Sequence, residues 1–152
     1  MKRSATLLAI LGLVLLLAAS PAGAKRGHRT ITLNARSQLD KIHVVDNAPT
    51  GDSVGDMVIF TERLFNLRGK LIGSDAATCV RLFDETSLCT GTYQLPRGRL
   101  MVQLLQPGLT GARTYVQAIT GGTAGYAGAR GTVKVVQGAP GGDRFTFRIR
   151  LR

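Results

Sequence analysis

Glu62 is the side chain of this sequence with the clearest potential for chemistry. It alternates with Val58, Phe60 and Leu64, and alternate residues of a β-strand point to the same face. Its carboxyl group is therefore expected to project into an apolar interior. Desolvation there would raise its pKa and suit it to general acid or base catalysis, whereas pairing with an Arg such as Arg81 would lower the pKa and make the group structural. The sequence alone leaves both interpretations open.

Cys79 and Cys89 are the only cysteines of the chain and are ten residues apart. A hairpin centred on Asp84 would place them opposite each other on neighbouring strands, at a separation that a disulfide bridges with little adjustment. We expect a structural disulfide, and the alternative is a free thiol that lines a ligand site. The cysteine spacing matches none of the usual zinc-ligand sets, and the chain has only two histidines, so no structural metal is expected.

Two glycine-containing motifs have the spacing of catalytic signatures without the required context. The segment GDSVG at 51–55 matches the serine-hydrolase pattern, but a strand is predicted after it, and His28 and His43 both precede Ser53,. The segment GGTAG at 121–125 lacks the Gly-Lys-Ser/Thr sequence of a phosphate-binding loop. We interpret this second segment as a turn between strands.

Residues 1–24 have the features of a secretory signal peptide. Lys2 and Arg3 precede an apolar run over 5–19, and Ala22-Gly23-Ala24 forms a small-residue cleavage pattern. The run is shorter than the roughly 20 residues that span a bilayer, so export is expected rather than a membrane span. A secreted, extracellular location would allow the two cysteines to be oxidised.

Residues 25–152 are expected to form one all-β domain, with a basic tail at 25–29. Apolar residues recur at every second position in short runs closed by Gly or Pro, a pattern typical of strands. Strands are predicted at 29–35, 41–46, 56–66, 70–83, 87–95, 99–106, 114–120, 130–137 and 144–151. The segment 36–41, between the first two strands, could form a turn of helix. Short strands at this spacing favour a sandwich or a closed barrel. The strand after Gly55 is apolar on both faces, which suggests contact with another subunit.

The chain beyond position 24 is strongly basic, with 18 Lys and Arg against 9 Asp and Glu, a net charge of +9. The basic residues are concentrated near the N terminus, at 97–99 and along 144–152. One functional class compatible with this charge is a non-enzymatic extracellular protein that binds anionic polymers or lipid surfaces. Few aromatic residues and no recognised nucleic-acid motif argue against specific recognition of nucleic acid.

Two segments together resemble the allene oxide cyclase and dirigent superfamily, most of all its secreted bacterial members. They are VGDMVIFTERLFNLRGKLIGSDAATCVR at 54–81 and AITGGTAGYAGARGTV at 118–133. The resemblance implies an eight-stranded antiparallel β-barrel, usually a homo-trimer, that holds a small hydrophobic or phenolic-derived ligand. A barrel that guides cyclisation or stereoselective coupling needs mainly a shaped cavity and one or two polar groups, so no cofactor is expected.

The resemblance also implies positions for a ligand site. Glu62 and Cys79 lie where plant cyclases have a pocket-lining Asn and Cys, although Glu is not equivalent to Asn. Asp46 corresponds to an acidic residue of the first long strand, and Arg130 to an Arg near the Gly-Gly-Thr motif of dirigent proteins. Glu62 is thus the catalytic candidate, if the protein is an isomerase-like or dirigent-like enzyme, and Asp46, Cys79 and Arg130 are substrate-binding candidates.

Two aromatic residues complete the predicted substrate-binding set. Phe60 shares the strand face of Glu62, and Tyr93 shares that of Cys89,. If these faces line the barrel interior, both rings would contact the ligand.

Overall fold

A computed structural model describes residues 29–83, 86–107 and 113–151. The predicted signal peptide, residues 25–28 of the predicted basic tail and residues 84 and 85 of the predicted turn lie outside the described residues. Within the described ranges, no helix is long and apolar enough to cross a membrane.

Eight antiparallel β-strands follow one another around a closed barrel in sequence order, which confirms the predicted architecture. The barrel closes through β1, which pairs with both β2 and β8. The strands are β1 Arg29–Val45, β2 Met57–Phe65, β3 Leu71–Arg81, β4 Thr86–Leu95, β5 Gly98–Pro107, β6 Thr114–Gly122, β7 Arg130–Val136 and β8 Arg144–Leu151. A short 3-10 helix at Ala124–Tyr126 follows β6.

Strand β1 differs from the sequence-based prediction, which divided it at 36–41. It is one continuous strand whose first part pairs with β8 as far as Arg36 and whose later part pairs with β2. The register to β2 shifts between Leu39 and Lys41, which marks a bulge at Asp40. The predicted helical turn is wrong because most of this segment is held in the two sheet ladders, and a bulge lets a strand bend without ending.

One end of the barrel is filled by apolar side chains that point inward from several strands. On β8, Phe145, Phe147 and Ile149 are buried, while the alternating Arg144, Arg148 and Arg150 are exposed, as the alternation predicts. The same cluster contains Leu64, Leu95, Leu100, Val133 and Val135. This packed end fixes the positions of the strands that continue into the other half of the barrel.

Cys79 and Cys89 form a disulfide with an S–S distance of 2.02 Å. They are direct cross-strand partners in the β3–β4 pairing, so the predicted disulfide is confirmed. The bond joins two neighbouring strands of the barrel wall and leaves no free cysteine among the described residues.

We expect removal of this disulfide to destabilise the barrel. The double variant Cys79→Ala/Cys89→Ala should lose about 2 to 3 kcal/mol of unfolding free energy, because the unfolded chain is no longer restricted by the short loop. Urea denaturation of the variant and the wild type measures the difference. A thiol titration of the denatured, unreduced wild type is the control, and two free thiols in that titration would contradict the structure.

Candidate functional site

The barrel contains a cavity of about 920 Å³ beyond its apolar core, a size typical of small-molecule sites. Inward residues of β2 to β5 line it in rows that cross the strands. One row consists of Phe60, Ala77, Gly91 and Val102, and the next of Val58, Cys79, Cys89 and Leu104. These walls are mostly apolar, so the cavity suits a hydrophobic molecule.

The row between the apolar walls and the packed core is polar. Glu62 on β2 pairs in register with Asp75 on β3, and Asp75 pairs with Tyr93 on β4. Glu62 and Asp75 line the cavity and are only 8% and 7% exposed. Direct cross-strand partners have Cβ atoms about 4.5 to 5.5 Å apart, so the two carboxyl groups are close neighbours at the base of the cavity.

The two carboxyl groups differ in their hydrogen bonds. The Ser37 hydroxyl donates to Glu62 Oε1 at 3.0 Å, which favours the ionised form of Glu62. Asp75 Oδ1 is buried and has no hydrogen-bond partner among the described residues. A buried polar atom of this kind is satisfied when a ligand or water supplies a partner.

Burial raises the pKa of Glu62 to about 7. Burial, with the charge of Glu62 beside it, raises the pKa of Asp75 to about 8. Two adjacent carboxylates in a low-dielectric site repel each other, so the pair holds a proton near neutral pH. The hydrogen bond from Ser37 supports the charge on Glu62, and Asp75 Oδ1 has no partner among the described residues, so the geometry favours the proton on Asp75. The site thus offers an acid and a base side by side.

Tyr93 connects this polar row to the aromatic core. Its ring packs edge-on against Phe147, with centroids 4.9 Å apart, and its hydroxyl donates to Gln117 Oε1 at 2.7 Å. Burial raises the pKa of Tyr93 well above its ordinary value, so the hydroxyl remains protonated and donates a hydrogen bond. Tyr115 also lines the cavity, and burial raises its pKa.

The surroundings of Arg81 and Glu62 bear on the two interpretations of Glu62. Arg81 pairs with Asp52 at 3.0 Å, not with Glu62. Within the described part of the chain, the influences on the pKa of Glu62 are burial, the Ser37 hydrogen bond and the charge of Asp143, none of them a cation. The geometry therefore supports the desolvated carboxyl group and not the ion pair with Arg81.

The predicted site residues fall into two groups. Glu62, Phe60, Cys79 and Tyr93 line the cavity together, with Cys79 present as a disulfide.

Asp46 and Arg130 lie elsewhere. Asp46 is exposed, just beyond the end of β1, and accepts a hydrogen bond from the Gly51 backbone N–H at 3.3 Å. Arg130 is exposed on β7 and donates to the carbonyl oxygens of Thr120 and Ala129. Neither residue is among those that line the cavity, so their positions do not support direct contact with a ligand there.

Three polar residues of the site were not predicted from the sequence. Asp75 alternates with Ala77 and Cys79, and this spacing could have placed it on the inner face. Ser37 was missed because its segment was interpreted as a possible helical turn. Gln117 gives no sequence signal of its own, because its role depends on the Tyr93 hydroxyl from another strand.

The two motifs set aside earlier are loop structure. Ser53 lies in the loop before β2. Its hydroxyl is a hydrogen-bond donor that lies 3.0 Å from the carbonyl oxygen of Asn47 and 2.9 Å from Asp56 Oδ1. The glycine-rich run begins at the end of β6 and continues into the 3-10 helix, which confirms its interpretation as a turn.

No protein-family model and no curated protein matches this chain. Several solved structures are similar to it. A pyocyanin demethylase is 28% identical, with 78% of this chain and 99% of that chain covered and a TM-score of 0.69. An exo-specific intermolecular Diels-Alderase is 12% identical, with 82% and 99% covered and a TM-score of 0.65. A pterocarpan synthase dirigent protein is 14% identical, with 97% and 95% covered and a TM-score of 0.59.

These similarities confirm the barrel fold and are consistent with the predicted dirigent and cyclase type. Membership of a secreted bacterial group within that superfamily stays a prediction.

We expect the buried carboxyl pair to make stability fall as the pH rises. Both groups keep their protons to higher pH in the folded protein than in the unfolded chain. The folded state thus binds more protons between roughly pH 4 and pH 8, and the free energy of unfolding declines across this range. Calorimetry should give a lower Tm near pH 8 than near pH 5, with a smaller decline in Asp75→Asn.

The matched control is Asp40→Asn, which changes an exposed carboxyl group paired with Arg63 and should keep the wild-type decline. A wild-type Tm that rises over the same range would contradict the raised pKa values.

Proposed function

We propose that this protein binds a small hydrophobic molecule in the barrel and guides its cyclisation or coupling by proton transfer with Glu62 and Asp75. The observation that carries the proposal is the carboxyl pair at the base of an apolar cavity, with one oxygen of Asp75 left without a partner. Hydrophobic walls and one unsatisfied polar group are the features by which a site binds and orients a ligand.

In this mechanism the two carboxyl groups have different roles. Protonated Asp75 donates its proton to an oxygen or nitrogen atom of the ligand, and ionised Glu62 accepts a proton from another atom of the same ligand. The total number of protons on the pair is unchanged, so no net charge has to develop in the apolar cavity. General acid and base catalysis of this kind contributes on the order of 10²–10⁴-fold in rate.

The remaining residues position these groups and the ligand. Ser37 holds the Glu62 carboxylate through its hydrogen bond, and the packed rings of the core fix Tyr93 beside Asp75. The apolar rows above the pair restrict the ligand to a few conformations and exclude water, which favours one product among several. The proposed step uses only side chains of the barrel.

Pyocyanin is the first ligand to test. The demethylase that acts on this aromatic phenazine is 28% identical to this chain, and 99% of it is covered by the comparison. A second candidate function is therefore demethylation of a phenazine. In a balanced step Glu62 accepts a proton from the N-methyl carbon, the phenazine ring takes up the electron pair, and water adds to the methylene carbon. The C–N bond then breaks with Asp75 as proton donor, which releases formaldehyde and the reduced phenazine.

We further propose that the protein is exported and forms a homo-trimer. Support for export comes from the disulfide between its two cysteines, which an oxidising compartment favours. Support for an oligomer comes from outward apolar side chains such as Ile59 and Met101, each 40% exposed in the single chain. Native mass spectrometry of the protein recovered from the medium would measure both properties, and a monomer would contradict the trimer.

We expect loss of either carboxyl group to reduce turnover. Glu62→Gln and Asp75→Asn should each lower kcat on pyocyanin by about 10²-fold or more, because each removes one proton-transfer group while keeping the side-chain size. The consumption of pyocyanin is followed by its absorbance, and Asp40→Asn serves as the matched control. Wild-type-like turnover by both cavity variants would exclude the proposed catalytic role.

We also expect the cavity to be the binding site. Ala77→Phe places a large ring inside the cavity, whereas Ala118→Phe places the same ring at an exposed position on the outer face of β6. Calorimetric titration with pyocyanin should give at least a tenfold higher Kd for the first variant and little change for the second. Equal affinity of the two variants would show that the ligand does not occupy the barrel.

A further inference from the structure

A group of cations lies on the outer surface of the barrel, on the side formed by β7, β8 and β1. We name it the cationic stripe. All its members are exposed, and they are Arg144, Arg148 and Arg150 on β8, Arg130 and Lys134 on β7, and Arg36 on β1.

The strand pairing brings like charges of the stripe into direct opposition. Arg150 is the cross-strand partner of Arg130, and Arg144 is the partner of Arg36. Like charges that face each other across strands destabilise a sheet. Barrel stability alone does not account for this arrangement, whereas a ligand of opposite charge would offset its cost.

Acidic side chains do not neutralise the stripe from within its own strands. Asp and Glu are absent from β7, from β8 and from the part of β1 that pairs with β8. The acidic residue next to β8, Asp143, accepts a hydrogen bond from the Gly138 backbone N–H at 2.8 Å. The stripe therefore presents a positive field to the solvent.

We propose that the cationic stripe binds a linear phosphate polymer. The cations of β8 extend along one strand from Arg144 to Arg150, a distance of about 20 Å at the usual rise of a strand. A chain with regularly spaced phosphate groups can follow this line and contact several guanidinium groups at once. Arg is suited to these contacts because its planar donor groups match phosphate oxygens.

The shape and chemistry of the surface favour a flexible polymer over a membrane. A barrel of eight strands curves away on both sides of β8, so a flat bilayer would contact few of the cations, whereas a chain can bend around them. Outward positions between the cations on β7 and β8 are Thr132 and Thr146, not the apolar side chains that insert between lipids. The same positions lack aromatic rings for stacking on bases, so contact with the backbone phosphates is expected to dominate.

This proposal does not depend on the function proposed for the cavity. Arg36 is among the residues that line the cavity, whereas the stripe residues of β7 and β8 are not. Substitutions confined to β8 therefore leave the cavity lining unchanged, so polymer binding and ligand turnover can succeed or fail separately.

The test compares two triple variants of the protein expressed from the full sequence. Arg144→Gln/Arg148→Gln/Arg150→Gln removes the line of cations on β8. Lys41→Gln/Arg68→Gln/Lys70→Gln removes the same total charge from exposed positions elsewhere on the barrel. Binding of long-chain inorganic polyphosphate is measured by calorimetric titration over a series of salt concentrations.

The stripe variant should show at least a tenfold higher Kd than the wild type at low salt, with little change in the control variant. The slope of log K against log salt should become shallower by about 2, because three phosphate contacts are lost. Arg144→Lys/Arg148→Lys/Arg150→Lys retains the charge and should retain most of the affinity.

Equal losses in the two triple variants would overturn the proposal, because they would show that only total charge matters. Binding of the wild type to phosphatidylglycerol vesicles but not to polyphosphate would also overturn it, in favour of a lipid surface. Unchanged melting temperatures of the variants confirm that the fold is intact.

Discussion

The candidate site depends on the burial of two carboxyl groups beside each other. Antiparallel pairing of β2 and β3 makes Glu62 and Asp75 direct neighbours, and the barrel interior removes them from water. Two ionised carboxylates in such a place would repel each other strongly, so one proton is retained. The sequence keeps this costly arrangement in the interior of the barrel, where a pair of apolar residues would be expected to stabilise the fold more.

The barrel interior consists of a packed half and an open half, and the carboxyl pair lies between them. One half is packed with side chains from most of the strands and behaves as an ordinary core,. The other half is open and lined mostly by apolar residues. Tyr93 lies at the boundary, since its ring belongs to the core and its hydroxyl reaches Gln117 at the cavity. Rigid support from the core keeps the polar groups of the cavity in fixed positions, as a catalytic or binding site requires.

Much of the fold could be predicted from the sequence because it rests on local patterns. Alternating apolar residues predicted most of the strands, and the ten-residue separation of Cys79 and Cys89 predicted their pairing. Glu62 was found by the same reasoning, because a charged residue among apolar neighbours on one face is conspicuous. The continuous β1 could not be predicted, since its two halves pair with strands far apart in the sequence.

The partners of Glu62 were harder to predict for the same physical reason. Asp75 and Ser37 become neighbours of Glu62 only through the register of three strands, and a shift of one residue would turn each to the other face. Asp46 and Arg130 were assigned by resemblance alone, and the structure places both outside the cavity lining. Local alternation thus identified one group of the site, and tertiary pairing supplied the rest.

The most direct test of this account is a pH titration of the carboxyl carbons of Glu62 and Asp75 by 13C NMR, with Glu62→Gln and Asp75→Asn used to assign the signals. We expect the two groups to titrate as a coupled pair with apparent pKa values of about 7 and about 8, and removal of one group to lower the pKa of the other. Titration of both groups near pH 4, the range of exposed carboxyl groups, would contradict it.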